Sequence, residues 1–219
     1  MINKNIIFSI AVDGSSASGK TTGSKFISNK FNFKLLSSGK LYRYLAYKII
    51  KNNFKYDKKF IRKQSKKITL KKLNNKKLYS PDVTLLTSII AKKKYIRSNL
   101  KKFQKDFIKK NKKVIIEGRD IGSKIMPSAD LKIFFRCSVK EKAKRRLKEF
   151  KKTNKKITLK EVEKSLKSRD FNDKNRKESP LLFVKGAILV DTSKLTINEM
   201  RLKLVKLVNE ILKKKYGNL

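Results

Sequence analysis

The sequence predicts an α/β fold in which helices cover a doubly wound parallel sheet of about five strands. Short apolar runs have the length and composition of buried parallel strands, and helical patterns alternate with them along the chain. The strand-like runs are residues 6–12, 33–36, 114–116, 131–135 and 187–190, of which 33–36 is the weakest. The helical patterns are residues 20–29, 40–51, 139–151, 159–170 and 197–215. This alternation is typical of sheets that bind ligands at the carboxyl ends of their strands.

The length of 219 residues indicates a single domain, residues 1–219. A segment of about residues 57–107 lacks a buried strand, and its periodicity is helical in residues 82–91 and 97–109. We expect it to be a mostly helical insert that packs over the strand ends. The polar break at residues 151–156 separates two helical patterns. We expect this break to be the tip of a small lid that spans about residues 139–176.

The charge of the chain is strongly positive, with 60 Lys and Arg against 17 Asp and Glu and a net charge of +43. Such a field attracts polyanions, so a basic nucleic-acid-binding protein is one interpretation. The lysines are dispersed from Lys4 to Lys215 without a single basic block. We therefore favour a general compositional bias and expect no specific nucleic-acid partner.

Cysteine and histidine usage excludes several classes of site. The single cysteine, Cys137, lies in an apolar run and is expected to be a buried thiol. One cysteine forms no internal disulfide, which fits a reducing cytoplasm. The chain has no histidine, which excludes His-based triads and His-ligated metals. No apolar run approaches the ~20 residues that span a bilayer, so we expect a cytoplasmic protein without a membrane partner.

The loop after the first strand has the pattern G-x-x-x-x-G-K-[ST], which predicts a phosphate-binding P-loop. Its glycines allow backbone N–H groups to converge on phosphate oxygens, and the following helix directs its positive end to the same place. Lys20 is placed to reach the outer phosphates, and the Thr21 hydroxyl to bind Mg²⁺. The predicted phosphate-binding residues are Gly14, Ser15, Ser16, Ala17, Ser18, Gly19, Lys20, Thr21 and Thr22.

Further polar clusters follow later strands. Ser38 is predicted to cap the next helix, with Tyr42 and Arg43 on its first turn. Arg43 could hold a second phosphate, because a guanidinium binds phosphate bidentately. Glu117, at the end of the third strand, is the carboxylate expected to direct Mg²⁺. An ordinary cap with a surface arginine remains the alternative for the first cluster.

Two arginine-rich stretches lie towards the end of the chain. Arg169, Asp173 and Arg176 have the spacing of one helix face, and a surface salt bridge is the alternative to ligand contacts there. Arginine is scarce in this lysine-rich chain, and its planar fork suits phosphate and sugar oxygens. Arg145 and Arg146 would reach a transferred phosphate when the lid closes, or else form a basic solvent-exposed face.

These motifs, in this order and spacing, resemble those of bacterial-type cytidylate kinases over essentially the full chain. The matching pieces are residues 12–22, 38–43, 117–122, 141–146 and 169–176. The resemblance implies a P-loop kinase fold with a nucleoside-monophosphate-binding insert. It also implies transfer of the γ-phosphoryl group of ATP to CMP or dCMP with Mg²⁺, by a protein that we expect to be a monomer. Another small-molecule P-loop kinase is the alternative within this class.

The resemblance also implies roles for individual residues. Lys20, Arg119, Arg145 and Arg146 would be catalytic, and Thr21 and Glu117 would hold the metal. Ser38, Arg43, Arg119 and Arg176 would bind the acceptor phosphate side, Arg169 and Asp173 the sugar, and Ser88, Arg97 and Asp120 the cytosine. Tyr42 would be a further substrate-binding residue. Asp120 supplies an acceptor for the exocyclic amine, whereas uracil would present a carbonyl to it.

Two positions depart from the family pattern. Ser37 stands where the family usually has Asp before Ser-Gly, which removes a charge near the expected metal and acceptor phosphate. Glu117 stands where the family usually has Asp, so the carboxylate is one methylene further from the backbone. We expect both departures to affect rate and metal affinity rather than reaction type.

Overall fold

The computed structural model describes residues 6–151 and 157–217, which divide into two compact units. Unit 1 contains the described residues up to Leu35 and those from Lys112 onward, and unit 2 is Leu36–Asn111. No helix within these described residues is long and apolar enough to cross a membrane. The expected lid tip, residues 152–156, lies outside the described ranges.

The sheet has five parallel strands in the order β2-β3-β1-β4-β5. The described strands are β1 (Phe8–Gly14), β2 (Lys34–Ser37), β3 (Lys113–Gly118), β4 (Leu131–Arg136) and β5 (Ala187–Asp191). The central strand β1 pairs on one side with β3 and on the other with β4, so that Val12 lies opposite Glu117 and Ile133. The predicted fold class is confirmed, and every apolar run assigned as a strand overlaps one.

The helices of unit 1 follow the predicted pattern closely. They are α1 (Lys20–Phe31), α6 (Val139–Lys151), α7 (Leu159–Asn175) and α8 (Ile197–Tyr216). Phe8, Ile10 and Val12 alternate along β1 and pack with α1 and α8 in a buried core, because side chains two apart share one face of a strand. Cys137 is buried directly after β4, as expected.

Beyond Leu36 and Ser37, which end β2, the regular elements of unit 2 are helical. It contains α2 (Ser38–Ile50), α3 (Lys58–Lys66), α4 (Pro81–Ile90) and α5 (Lys94–Lys109), with 3₁₀ turns at Lys72–Asn74 and Lys76–Tyr79. The prediction of a mostly helical segment is confirmed, and α4 and α5 match its two helical patterns. Helix α3 was not predicted, although the Asp57 carboxylate caps it by accepting from the Phe60 N–H at 2.6 Å.

Candidate active site

The P-loop connects the end of β1 with the first turn of α1. Gly14 lies so close to β4 that a Cβ there would come within 2.5 Å of the Phe135 carbonyl oxygen. Gly19 adopts the left-handed conformation with φ 88° directly before α1, which glycine accommodates without steric cost. Ser18 is fully buried, and its hydroxyl donates to the Ser15 carbonyl oxygen at 3.0 Å. Thr22 is exposed on the first turn of α1.

Lys20 is half-buried and donates from Nζ to the Ser15 carbonyl oxygen at 2.9 Å. Desolvation of its ammonium group, followed by repulsion from Arg119, lowers its pKa from 10.5 to about 7. Arg169 also lies close enough to lower this pKa. An anion bound here would relieve the repulsion among these cations and favour the charged lysine.

Thr21 and Glu117, the two predicted metal ligands, are in direct contact. The Thr21 hydroxyl donates to Glu117 Oε1 at 3.0 Å. Glu117 is only 2% exposed, and its Oε2 has no hydrogen-bond partner among the described residues. A buried carboxylate oxygen without a partner fits a magnesium ion, which uses one or two carboxylates together with substrate phosphates. The described residues contain no group of three or more His, Cys, Asp or Glu side chains arranged to hold a metal by themselves.

Arg119 connects the P-loop with α7. Its Nε donates to Asp173 Oδ2 at 2.7 Å, and its Nη2 donates to the Ser16 hydroxyl at 3.1 Å. Arg176 Nη1 lies 3.4 Å from Asp173 Oδ1. Burial alone would raise the pKa of Asp173, but the charge and hydrogen bond of Arg119, with Arg176 and Arg169, hold it below its ordinary value. Asp173 is thus paired with both Arg119 and Arg176, and Arg169 lies close enough to lower its pKa as well.

Asp13 was not identified from the sequence, yet it shapes the segment after β3. Its carboxylate accepts from the backbone N–H groups of Ile121 at 2.9 Å and Gly122 at 2.7 Å. Desolvation raises its pKa to about 6 against the effect of these two hydrogen bonds, and the nearby charge of Asp120 adds to the rise. Asp120 itself is 6% exposed at the end of this segment.

The two arginines of the predicted lid, Arg145 and Arg146, have different surroundings. Arg145 donates from Nη1 to the Thr192 hydroxyl at 3.1 Å and from Nη2 to the Thr192 carbonyl oxygen at 2.7 Å. The Thr192 hydroxyl in turn donates to the P-loop carbonyl oxygen of Ser18 at 3.0 Å. Arg146 instead pairs with Glu149 on its own helix at 2.5 Å. The structure therefore brings Arg145 towards the P-loop, whereas Arg146 contacts its own helix.

Unit 2 holds the remaining predicted residues. The predicted cap of α2 is wrong by one position: Ser37 is the N-cap, its side chain makes no capping hydrogen bond, and Ser38 is the first helical residue. Arg97 is 8% exposed; it donates to the Ala91 carbonyl oxygen at 2.9 Å and lies over the Tyr42 ring at 5.4 Å.

Arg43 and Ser88 are held by other parts of unit 2. Arg43 Nη1 donates to the Leu78 carbonyl oxygen at 3.0 Å and to the Thr84 hydroxyl at 2.8 Å. The Ser88 hydroxyl donates to the Leu85 carbonyl oxygen at 2.7 Å on its own helix. Unit 2 thus brings Tyr42 together with Arg97 and fixes Arg43 beside α4.

Comparison with known proteins identifies the family. The family model for cytidylate kinase matches residues 10–210. A cytidylate kinase of Fusobacterium nucleatum subsp. nucleatum is 41% identical over 208 residues, which cover 90% of this chain and 94% of the relative. A cytidylate kinase of Mycoplasmoides gallisepticum is 34% identical over 217 residues, covering 95% and 96%.

Among solved structures, the crystal structure of TT1252 from Thermus thermophilus superposes with a TM-score of 0.51 at 12% identity, covering 94% of this chain and 98% of the other. That likeness supports the fold alone. The family match over most of the sequence, together with the P-loop and the acidic strand end, leads to one conclusion: this chain belongs to the cytidylate kinase family.

Proposed function

We propose that this protein transfers the γ-phosphoryl group of ATP to CMP and dCMP, producing CDP and dCDP. Family membership supports this reaction over a nucleic-acid-binding role and over other P-loop kinases. The observation that carries the proposal in this chain is the contact of Thr21 with the buried Glu117 at the end of the P-loop that holds Lys20. A P-loop lysine, a hydroxyl and a strand-end carboxylate are the parts that P-loop phosphoryl transfer uses.

The chemistry requires positioning and charge neutralisation rather than proton abstraction. The attacking group is a phosphate oxygen of CMP, which is already ionised at pH 7, so no general base is needed; this fits a chain with no histidine. Lys20 and Arg119 would neutralise the two phosphate groups that approach each other. Magnesium, bound with Thr21 and Glu117, would supply further neutralisation of the phosphate oxygens.

The acceptor nucleotide would be bound by the polar and charged residues that match the family's motifs. Arg119, Arg176 and Arg43, with Ser38, would bind the phosphate side, and Asp173 and Arg169 the sugar. Tyr42 would be a further substrate contact. Arg97, Ser88 and Asp120 would bind cytosine. Asp120 supports this assignment because a buried acceptor discriminates between an amine and a carbonyl at the same ring position.

The lid arginines Arg145 and Arg146 would complete the site on closure, which excludes water from the reacting phosphates. We propose that the enzyme works as a monomer. We also propose that it works in the cytoplasm, which its single buried cysteine supports. Sedimentation at micromolar concentration tests the monomer directly, and a sedimentation mass of twice 25.5 kDa contradicts it.

The function is tested by measuring ADP release with a panel of acceptors. The panel contains CMP, dCMP, UMP, AMP and pantothenate, each with ATP and Mg²⁺. Strong turnover with CMP and dCMP is expected. Turnover with pantothenate but with no nucleotide would indicate a different small-molecule kinase. Absence of turnover with every acceptor in the panel would contradict the assignment.

A further inference from the structure

Lys142 on α6 and Asp170 on α7 form a buried ion pair that the proposed mechanism does not use. The Lys142 Nζ is in direct contact with Asp170 Oδ2. The two residues are 3% and 9% exposed, respectively. Charged side chains are rarely this buried unless they are paired, and burial of such a pair costs desolvation free energy. The position of this pair in the fold therefore needs a physical reason.

Both members of the pair also contact the P-loop. Asp170 Oδ1 accepts from the backbone N–H of Ser16 at 3.1 Å. Lys142 Nζ lies 3.4 Å from the hydroxyl oxygen of Ser15, to which it donates. Two consecutive P-loop residues are thus fixed by one ion pair, one through the main chain and one through the side chain.

Ser16 also connects this pair with Arg119. The Ser16 hydroxyl accepts from Arg119 Nη2, and Arg119 is the partner of Asp173 one helical turn beyond Asp170 on α7. The N–H of Ser16 is therefore bound by Asp170 of α7, and its hydroxyl is bound by Arg119, which is itself paired with Asp173 of α7. A change in the orientation of the Ser16 peptide would alter the loop in which N–H groups converge on phosphate.

A purely structural role does not require charges at this place. Replacement of a buried ion pair by apolar residues of similar size often leaves stability unchanged or increases it. A loop that binds a triphosphate, in contrast, depends on backbone orientation, and a small displacement reduces binding and rate strongly.

We propose that Asp170 is a positioning residue that holds the Ser15–Ser16 segment of the P-loop in the geometry that binds ATP, and that Lys142 orients the Asp170 carboxylate. This inference rests on the proposed function, since it concerns the same phosphate-binding loop. It predicts that loss of the acceptor at residue 170 weakens ATP binding, whereas loss of the two charges alone has a small effect.

Two double variants separate the hydrogen bond from the charges. Lys142→Met with Asp170→Asn keeps an amide oxygen that accepts from Ser16, and Lys142→Met with Asp170→Leu removes the acceptor. Neither leaves an unpaired buried charge. We expect the leucine variant to raise the KM and calorimetric Kd for ATP about tenfold or more over the asparagine variant, with the KM for CMP within about threefold.

A third variant, Lys142→Met with Asp170→Ala, repeats the comparison with a smaller side chain in case the leucine variant unfolds. The control is Lys206→Met with Glu210→Gln, which removes an exposed pair on α8 at 3.9 Å and should leave both constants unchanged. Equal Kd values for ATP in the asparagine variant and a folded acceptor-free variant overturn the inference. Absence of CMP turnover in the unmodified protein contradicts the proposed function instead, because ATP binding is measured without an acceptor.

Discussion

The Thr21 hydroxyl donates a hydrogen bond to Glu117 Oε1 over 3.0 Å. The contact follows from the register of two parallel strands, since Val12 on β1 lies opposite Glu117 on β3. Both strands carry their polar residues to the same edge of the sheet, where the P-loop begins. The second carboxylate oxygen of Glu117 is buried without a partner among the described residues, and it is this oxygen that a cation at the P-loop would contact.

Glu117→Gln should weaken magnesium binding without preventing folding. The glutamine oxygen still accepts from Thr21, but the negative charge that attracts the cation is lost. We expect the Mg²⁺ concentration for half-maximal activity to rise about tenfold to a hundredfold. The thermal midpoint of the metal-free protein should stay equal or rise, since a buried carboxylate with an unpartnered oxygen costs free energy. An unchanged Mg²⁺ dependence in the folded variant would exclude Glu117 from the metal site.

ATP binding should take up a proton at Lys20. Its pKa of about 7 in the free protein leaves most of the lysine neutral at pH 8, and bound phosphates favour the ammonium form. Calorimetry at pH 8 in two buffers of different ionisation enthalpy should therefore show uptake of up to about one proton per ATP, with affinity falling as pH rises above 7. Lys20→Arg should show no uptake, because arginine is already charged. Identical enthalpies for the unmodified protein in both buffers would be the contrary result.

Asp173→Asn should destabilise the protein at neutral pH and have less effect in acid. Burial raises the pKa of Asp173, but Arg119 and Arg176 lower it by more than burial raises it. The folded-state pKa therefore lies below 3.8. Such a group stabilises the folded state fully above the unfolded-state pKa, and this contribution is lost as the pH falls through the folded-state value. Urea unfolding should show a loss of about 1–3 kcal/mol at pH 7 and a smaller loss at pH 3. A loss of the same size at both pH values would count against the ion pair.

Asp120→Asn should reduce discrimination between CMP and UMP. Asparagine presents an amide that can donate to the uracil carbonyl, whereas the carboxylate of Asp120 only accepts. The ratio of kcat/KM for CMP to that for UMP should fall about tenfold or more. Asp106→Asn is the matched control, because this aspartate is exposed on α5, and its ratio should not change. A preserved ratio in Asp120→Asn would remove the residue from cytosine recognition.

Local patterns predicted much of the fold and the P-loop. Apolar runs and glycine positions are properties of neighbouring residues, and these predicted the five strands, the start of α1 at Lys20 and the full extent of α6. Helix α3 was missed because its buried face consists only of Ile61 and Ser65 among lysines. The predicted cap of α2 was wrong by one residue, because Ser37 and Ser38 are adjacent and the sequence pattern allows either to precede the helix.

The contacts that join distant segments could not be predicted from local pattern. Lys142 and Asp170 are 28 residues apart, and Lys142 is one cation among 60 Lys and Arg residues. Thr192, which connects Arg145 with the P-loop, has no distinctive neighbours in the sequence. Asp13, which directly precedes the P-loop, could have been identified from the sequence, because a charged residue at the end of a buried apolar strand needs hydrogen-bond partners. In the structure these partners are the backbone N–H groups of Ile121 and Gly122.

The most direct measurement of the central claim follows the transferred phosphoryl group itself. ATP labelled in its γ-phosphoryl group is incubated with CMP, Mg²⁺ and either the unmodified protein or Lys20→Met, and the nucleotides are separated. The label should appear in CDP with the unmodified protein. It should appear about 10²–10³-fold more slowly with Lys20→Met, whose far-ultraviolet circular dichroism should be unchanged. Label that never enters CDP, or that enters CDP equally fast in the folded variant, would contradict the account.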